Sequence, residues 1–328
     1  MLTKRQNLLE TIKGGNPDRF VKQHEFLNMI PEAAFTMAGI PYIPGNTGKD
    51  PWGVTWQYPI GQIGAFPVHD AEHTVVKDIT KWQKYVKKPV IPTSDEAWAP
   101  ALAHAKVIDR NEEFLTAMVY PGVFDMTHNL MGMENALMAF YEEPEAMHEL
   151  LACITEFYLD FARAVIDRLH PDALFQHDDW GSSINSFLSP EMFNEFIVPC
   201  YKKIYGFYKA NGVQLIVHHS DSYAANLVPA MIEMGIDIYQ GVMNSNNIPE
   251  LIKQYGGKIS FMGGIQSGDV DAPGWTKEIV AEAVENACQT NGKLNYIPCI
   301  THAGPKSHFP GVYEAINTEI DRMSKILF

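Results

Sequence analysis

The chain has 328 residues, 46% of them hydrophobic and 20% charged, a composition ordinary for a globular protein. Its 25 basic and 39 acidic residues give a net charge of −14. That argues against a nucleic-acid backbone or an anionic membrane as the main partner. Four cysteines, Cys153, Cys200, Cys288 and Cys299, are far apart and form no CxxC pair. They read as free thiols in a reducing cytoplasm, not as a disulfide framework.

The opening MLTKRQNLLETIKGGNPDRF has basic residues but no apolar core of signal-peptide length. No apolar run approaches the ~18 residues of a membrane span. A cytoplasmic protein without a membrane segment is expected.

In chain order, Phe20–Phe26 is the first strand candidate. The stretch from Ile40 to Pro92 is rich in Pro, Gly and Trp and reads as an elaborate loop or lid. Phe114–Pro121 is the second strand. Apolar residues from Met147 to Leu169 recur at i, i+3 and i+4, which predicts a helix over Glu145–Leu169. Ala173–Trp180 then reads as a strand. Pro190–Ala210 reads as one helix with Ser189 as N-cap. Strands over Val213–Asp221, Ile236–Val242, Lys258–Ile265 and Leu294–Ile300 follow. Helices over Tyr223–Met234, Ile248–Tyr255, Thr276–Asn291 and Val312–Leu327 alternate with them. Alternation with helix-stopping glycines predicts parallel strands with crossover helices. Seven strands can be placed. The expected fold is an α/β (β/α)8 TIM barrel occupying residues 1–328 as one domain, with an elaborated N-terminal loop region. A doubly wound sheet is the alternative, weakened by the lack of a GxGxxG fingerprint.

Functional groups of such barrels lie at the C-terminal strand ends. The expected ends carry His24-Glu25, Tyr120, His177-Asp178-Asp179-Trp180, His218-His219-Ser220-Asp221, Gln240, Gly263-Gly264 and Cys299, with His302 just beyond. Alternation puts His219 and Asp221 on one face and His218 on the other. With Cys299 they can supply three protein ligands and leave a fourth position open, as in a catalytic zinc site. Equally, His219 and Asp221 can be a hydrogen-bonded pair and Cys299 a small buried hydrophobe. Of Asp178 and Asp179, only one is expected to enter the site, while the other bonds the loop or caps a helix. Both can also be satisfying loop N–H groups. His24 and Glu25 can be satisfied core groups. Tyr120 and Trp180 serve as pocket wall or as packing. Trp52, Trp56, Tyr58 and Phe66 either stack on a flat ligand or pack the loop onto the barrel.

Several segments together resemble the uroporphyrinogen decarboxylase superfamily, and within it the corrinoid-dependent methyltransferases. TKRQNLLETIKGGNPDRF resembles its first helix and "PDR" turn. DDWGSS with LSPEMFNEFIVPCYKKIYGFYKANG resembles the central segment. VHHSDSYAANLVPAMIEMGIDIYQGV stands where the superfamily carries its "HxC" or "HSD" motif, and PCITHAGP where it carries a later cysteine loop. True decarboxylases have an arginine-rich segment near the first strand. Here that stretch is HEFLNMIPEAAF, without arginine, which suits a polyanionic substrate badly. The resemblance implies a zinc site at His219, Asp221 and Cys299, with Asp221 where methanol-type enzymes have cysteine. The strand-end reading supplies Asp178, Asp179 and Glu25 as candidate catalytic groups. Tyr120, His177, Trp180, Gln240 and His302 would contact substrate. The implied activity is methyl transfer between a small methylated substrate, such as an O-methyl aromatic, and cobalamin carried by a separate corrinoid protein. A metal-free decarboxylase, a non-catalytic binding barrel and a folate-dependent methyl transfer are the rivals.

Overall fold

The structure is a computed structural model, which describes residues 1–302, 304 and 307–328. The end of the PCITHAGP segment, Ala303 and Pro305, lies outside the described residues. Seven parallel strands form one sheet: β1 (Leu27–Met29), β2 (Phe114–Val119), β3 (Ala173–His177), β4 (Leu215–His219), β5 (Ile238–Val242), β6 (Ser260–Ile265) and β7 (Tyr296–Ile300). Neighbours in the sheet follow chain order, so every crossover steps the same way and the sheet curls. Among the described residues β1 and β7 do not pair, and the sheet is an open half-barrel rather than a closed eight-stranded one.

The first strand candidate is corrected here. Residues 20–22 are irregular and lead into a turn over 23–26, in which His24 adopts a left-handed conformation, φ 58°, and Leu27 N–H bonds back to His24 O at 2.9 Å. The strand begins only after it, so His24 and Glu25 precede β1 instead of ending it. The apolar residues of this stretch are buried nonetheless. Val21 and Phe26 join the cluster that contains Ile297 and Cys299 of β7. The stretch thus packs against the last strand without adding hydrogen bonds to it.

Alternation along the strands divides the core in two. Phe114, Ala173, Phe175, Leu215, Val217, Ile238, Met262, Ile297 and Cys299 share the inner cluster, joined by Leu8 from the first helix, Lys4–Ile12. Leu174, Ile216, Tyr239, Phe261 and Tyr296 point outward into the larger cluster under the helices. The helix Pro144–Leu169 contributes Met147, Leu150, Ile154, Phe161 and Val165 to that layer, as its periodicity predicts. The expected helix over Pro190–Ala210 is two, Pro190–Phe196 and Val198–Ala210. Pro199 has no N–H to continue the first and its ring crowds the carbonyl four residues back.

The Ile40–Pro92 stretch holds a small antiparallel sheet of Thr47–Lys49, Thr55–Gln57 and Phe66–Pro67. Trp56 is fully buried, donates its indole N–H to Asp50 at 2.9 Å, and meets the Tyr120 ring edge-on at 6.0 Å. Trp52 packs edge-on against Phe157 at 5.0 Å. Tyr58 is buried too, and of the four aromatic residues expected to stack on a ligand only Phe66, 51% exposed, is at the surface. Packing of this region onto the sheet is therefore the correct reading for the other three. Among the described residues no helix is long and apolar enough to cross a membrane.

Candidate metal centre at the strand ends

Register places one row of inner-face side chains side by side. His177 of β3 pairs with His219 of β4, and His219 pairs with Gln240 of β5. Adjacent strands lie about 4.8 Å apart, so these three side chains meet just above the apolar inner cluster. The His177 and His219 rings lie 4.3 Å apart, tilted by 32°. Tyr120, just beyond β2, closes one side with its ring edge-on to His177 at 4.7 Å.

Asp178 and Asp179 part company as alternation requires. Asp178 is fully buried and accepts four hydrogen bonds: Phe124 N–H at 3.0 Å, Asp125 N–H at 2.7 Å, Trp180 indole N–H at 2.8 Å and Tyr201 O–H at 2.7 Å. The first two are free N–H groups at the start of the helix Val123–Met131, whose N-cap, Gly122, has no side chain to satisfy them. A Cβ on Gly122 would come within 2.2 Å of the Asp178 Cβ, so only glycine admits this approach. Asp178 is thus a helix cap in trans, and Trp180, 2% exposed and stacked on His218 at 3.8 Å, is packing. Asp179 turns to the open side. Its Oδ1 accepts Asp221 N–H at 3.1 Å and lies 4.0 Å from His219 Nε2.

One ligand atom from each of His177, Asp179 and His219 lies within 4.8 Å of the others, the one such trio among the described residues. His219 Nδ1 is hydrogen-bonded to Gln240 Oε1. That bond fixes the tautomer and leaves the Nε2 lone pair on the side of Asp179. Burial, reinforced by His177, lowers the His219 pKa to about 4, so the ring is neutral and able to ligate. Burial also works against a charge on His177, but Asp179, Asp125 and Asp221 outweigh it and raise that ring to about 9. Burial raises the Asp179 carboxyl to about 8, helped by Asp221 and Asp125 against His177. A divalent cation among these groups would relieve each of these tensions. Two imidazoles and one carboxylate with an open side are also a donor set of the catalytic zinc type.

The expected set of His219, Asp221 and Cys299 is not brought to that spacing. Cys299 lies on β7, three strands from His219, buried among apolar side chains with its thiol 3.3 Å from Ile300 O. Burial raises it to about 12, against the Gln240 side chain, which lowers it. Gln240 therefore stands between His219 and Cys299. Asp221 is bonded to His302 Nδ1. Burial tends to raise the Asp221 pKa, but His302 and His219 overcome it and hold it low. Gly241, at φ 89°, lies at a bulge where β5 passes within 3.0 Å of Ser220 O, measured from where its Cβ would be. This close pass sets Gln240 beside β4.

Glu25 is removed from this row. It accepts Lys22 N–H at 3.1 Å within its own turn. His24 lies under the row, edge-on to Phe175 at 5.4 Å. Asp125, in the first turn of its helix, was missed by strand-end reasoning. Its carboxylate lies 3.5 Å from His177 Nδ1, and 3.3 Å from both His128 Nε2 and Asp179 N. The available signal was its place four residues after the Tyr120-Pro121 strand end.

A curled parallel sheet with titratable groups gathered at its C-terminal edge defines an α/β protein of the half-barrel kind. The sequence profile of the Uroporphyrinogen decarboxylase (URO-D) family matches residues 61–311, and the chain belongs to that family. Among solved structures it is similar to a methyltransferase from Methanosarcina mazei, with a TM-score of 0.67 and 14% identity over 98% of this chain and 99% of that one. That identity speaks for a common fold alone. A Coccidioides immitis protein described as a candidate fructose-1,6-biphosphate aldolase reaches a TM-score of 0.30 at 9% identity, over 65% of this chain and 79% of that one, and carries no argument. No curated protein matches the chain.

Proposed function

We propose that the chain is a zinc-dependent methyltransferase that moves a methyl group between a small methylated substrate and a corrinoid protein. The observation that carries this reading is the trio His177, Asp179 and His219 at the strand ends. A methyltransferase among the structures that share the fold supports it. His177, Asp179 and His219 would hold the zinc, with Asp221 beside them and Cys299 held back by Gln240. Zinc supplies Lewis-acid polarisation of the heteroatom that carries or accepts the methyl group. A donor set with a carboxylate and no thiolate is harder than a two-cysteine site, which favours an oxygen-bound methyl such as that of an O-methyl aromatic.

The protein's own groups prepare that site. Gln240 orients His219, and Tyr120 shields the His177 face from water. His302 keeps Asp221 ionised. The corrinoid would meet the strand-end mouth from outside, because the half-barrel interior is filled by side chains. Tyr42, Ile43, Ile60 and Phe66 are exposed apolar side chains of the small-sheet region. Beside them, Tyr58, Gly61, Gln62 and Ile63 with Ser307 and His308 line an open cleft of about 270 Å³. These side chains are the proposed surface for the carrier.

The test is elemental analysis of purified protein, then methyl transfer with a corrinoid protein and a panel of methyl donors. About one zinc per chain is expected, lost in His219→Ala and His177→Ala and kept in Cys299→Ala. Protein that neither contains nor takes up metal would overturn the reading. Metal-free decarboxylation would then lead, since the family carries that name and the raised Asp179 carboxyl suits a proton donor.

A further inference from the structure

We propose that Asp125 is a positioning residue that orients His177 and Asp179 for metal binding. The inference rests on the metal-centre reading above. Asp125 is buried at the start of the helix Val123–Met131, and its own N–H is pinned to Asp178 at 2.7 Å. From that fixed point its carboxylate reaches two of the three trio residues. Oδ1 accepts the main-chain N–H of Asp179 at 3.3 Å. Oδ2 lies 3.5 Å from His177 Nδ1.

Those last two atoms are informative. Asp125 Oδ2 and His177 Nδ1 are each buried without a hydrogen-bond partner of normal length among the described residues. Buried polar atoms in a native structure are nearly always paired. Each is therefore the natural partner of the other, one short shift from a full N–H to carboxylate bond. With Nδ1 committed to Asp125, Nε2 is the atom left to bind. A carboxylate behind a ligating imidazole fixes its tautomer and raises its basicity. Gln240 makes the matching contact to His219 from the far side, so both rings are held by their Nδ1 atoms. The two supports differ in charge, with a neutral amide behind one ring and an anion behind the other.

A first-turn aspartate also interacts favourably with its helix dipole. That role alone would change stability and leave metal affinity untouched, which sets the experiment. Metal-stripped wild type, Asp125→Ala and Asp125→Asn are titrated with Zn²⁺ against a chromogenic chelator. The Co²⁺ visible spectrum and the metal-free melting temperature are recorded for each. Asp125→Ala is expected to bind zinc about 10–100-fold more weakly, with an altered Co²⁺ spectrum. Asp125→Asn keeps an acceptor but not the charge, and a loss nearer tenfold is expected. Zinc affinity within twofold of wild type and an unchanged Co²⁺ spectrum in Asp125→Ala would overturn the proposal, whatever the melting temperature does. If that variant fails to fold, the same outcome in Asp125→Asn overturns it. Wild-type protein that binds neither ion removes the metal-centre reading and this inference together. A wild type that binds, beside variants that bind equally, removes only this one.

Discussion

Replacing Asp178 by Asn separates a structural acid from its neighbour in the proposed metal centre. The Asp178 carboxylate takes three donors on Oδ2 (Phe124 N–H, Trp180 Nε1–H and Tyr201 O–H) and one, Asp125 N–H, on Oδ1. All four partners donate, so an amide nitrogen at either position faces a donor. The best compromise puts the amide oxygen at Oδ2 and leaves Asp125 N–H unsatisfied, at about 1–3 kcal/mol. The three surviving bonds also lose charge assistance, each weakening by about 1 kcal/mol. Relief of the buried charge, the same burial that pushes the Asp178 carboxyl up, offsets part of this. A net loss of about 2–4 kcal/mol is expected, which for a chain this long is roughly 3–6 °C in melting temperature. Asp179→Asn keeps an amide oxygen that can accept Asp221 N–H, at a side chain one-third exposed, and a change within about 1 kcal/mol is expected. The assay is thermal unfolding of metal-free protein followed by circular dichroism, with turnover measured on the folded fraction. Asp178→Asn should melt early and Asp179→Asn should fail in turnover and zinc uptake. An Asp178→Asn protein that melts with wild type yet loses turnover would refute the division of labour.

At the opposite end of the sheet, Asp172 accepts two bonds from Arg110, at 2.7 and 2.8 Å, and one from Leu115 N–H at 3.1 Å. Burial tends to raise its pKa, but Arg110, Leu115 N–H and Arg5 overcome it and hold it below the usual 3.8. A depressed carboxylate contributes stability that is present above its unfolded pKa and lost as pH falls through the folded value. Asp172→Asn should therefore cost about 1–2 kcal/mol at pH 7, discounted for the half-exposed Arg110 head, and less below about pH 4. Urea midpoints at pH 7 and pH 3 check this, and an equal gap at both would refute it. In the small sheet, Trp56→Ala removes a fully buried ring and should destabilise by about 3–5 kcal/mol. Phe66→Ala should leave stability and small-substrate KM unchanged while raising the KM for the corrinoid protein several-fold. Unchanged carrier kinetics would move the docking surface elsewhere.

Helices were readable where an apolar stripe alone decides them. The expected bounds Ile248–Tyr255 and Val312–Leu327 are those observed. Strand interiors were equally plain, yet each expected strand after β2 ran past the observed one by two or more residues. Before β4, β5 and β6 the apolar pattern begins early, at Val213, Ile236 and Ile259, which are buried but whose N–H groups bond back to the preceding helix instead of to a neighbouring strand. Phe20–Phe26 is the extreme case. Its apolar residues are needed to pack against β7, and burial in a turn leaves the same composition as burial in a strand. Nothing in the sequence marks His24 as left-handed. The break in Pro190–Ala210 was there to be read at Pro199.

At the site, what depends on one strand was visible, and what depends on register was not. Alternation alone separates Asp178 from Asp179 and His219 from His218, because it needs only the period of a single strand. Which of these faces meet is a matter of neighbouring strands. His177 and His219 lie on adjacent strands in register, and Gln240 follows in the same row. Cys299 shares the inner face but pairs with Gly264, one layer higher and three strands from His219. At about 4.8 Å per strand, only the curl of the sheet brings it near, and Gln240 occupies the space between. In the metal centre proposed above, Gln240 bonded to His219 stands on the side from which a Cys299 thiolate would approach the trio. The bond that leaves His219 Nε2 free for a metal would then also keep the cysteine at a distance. Gln240→Ala should loosen both constraints together.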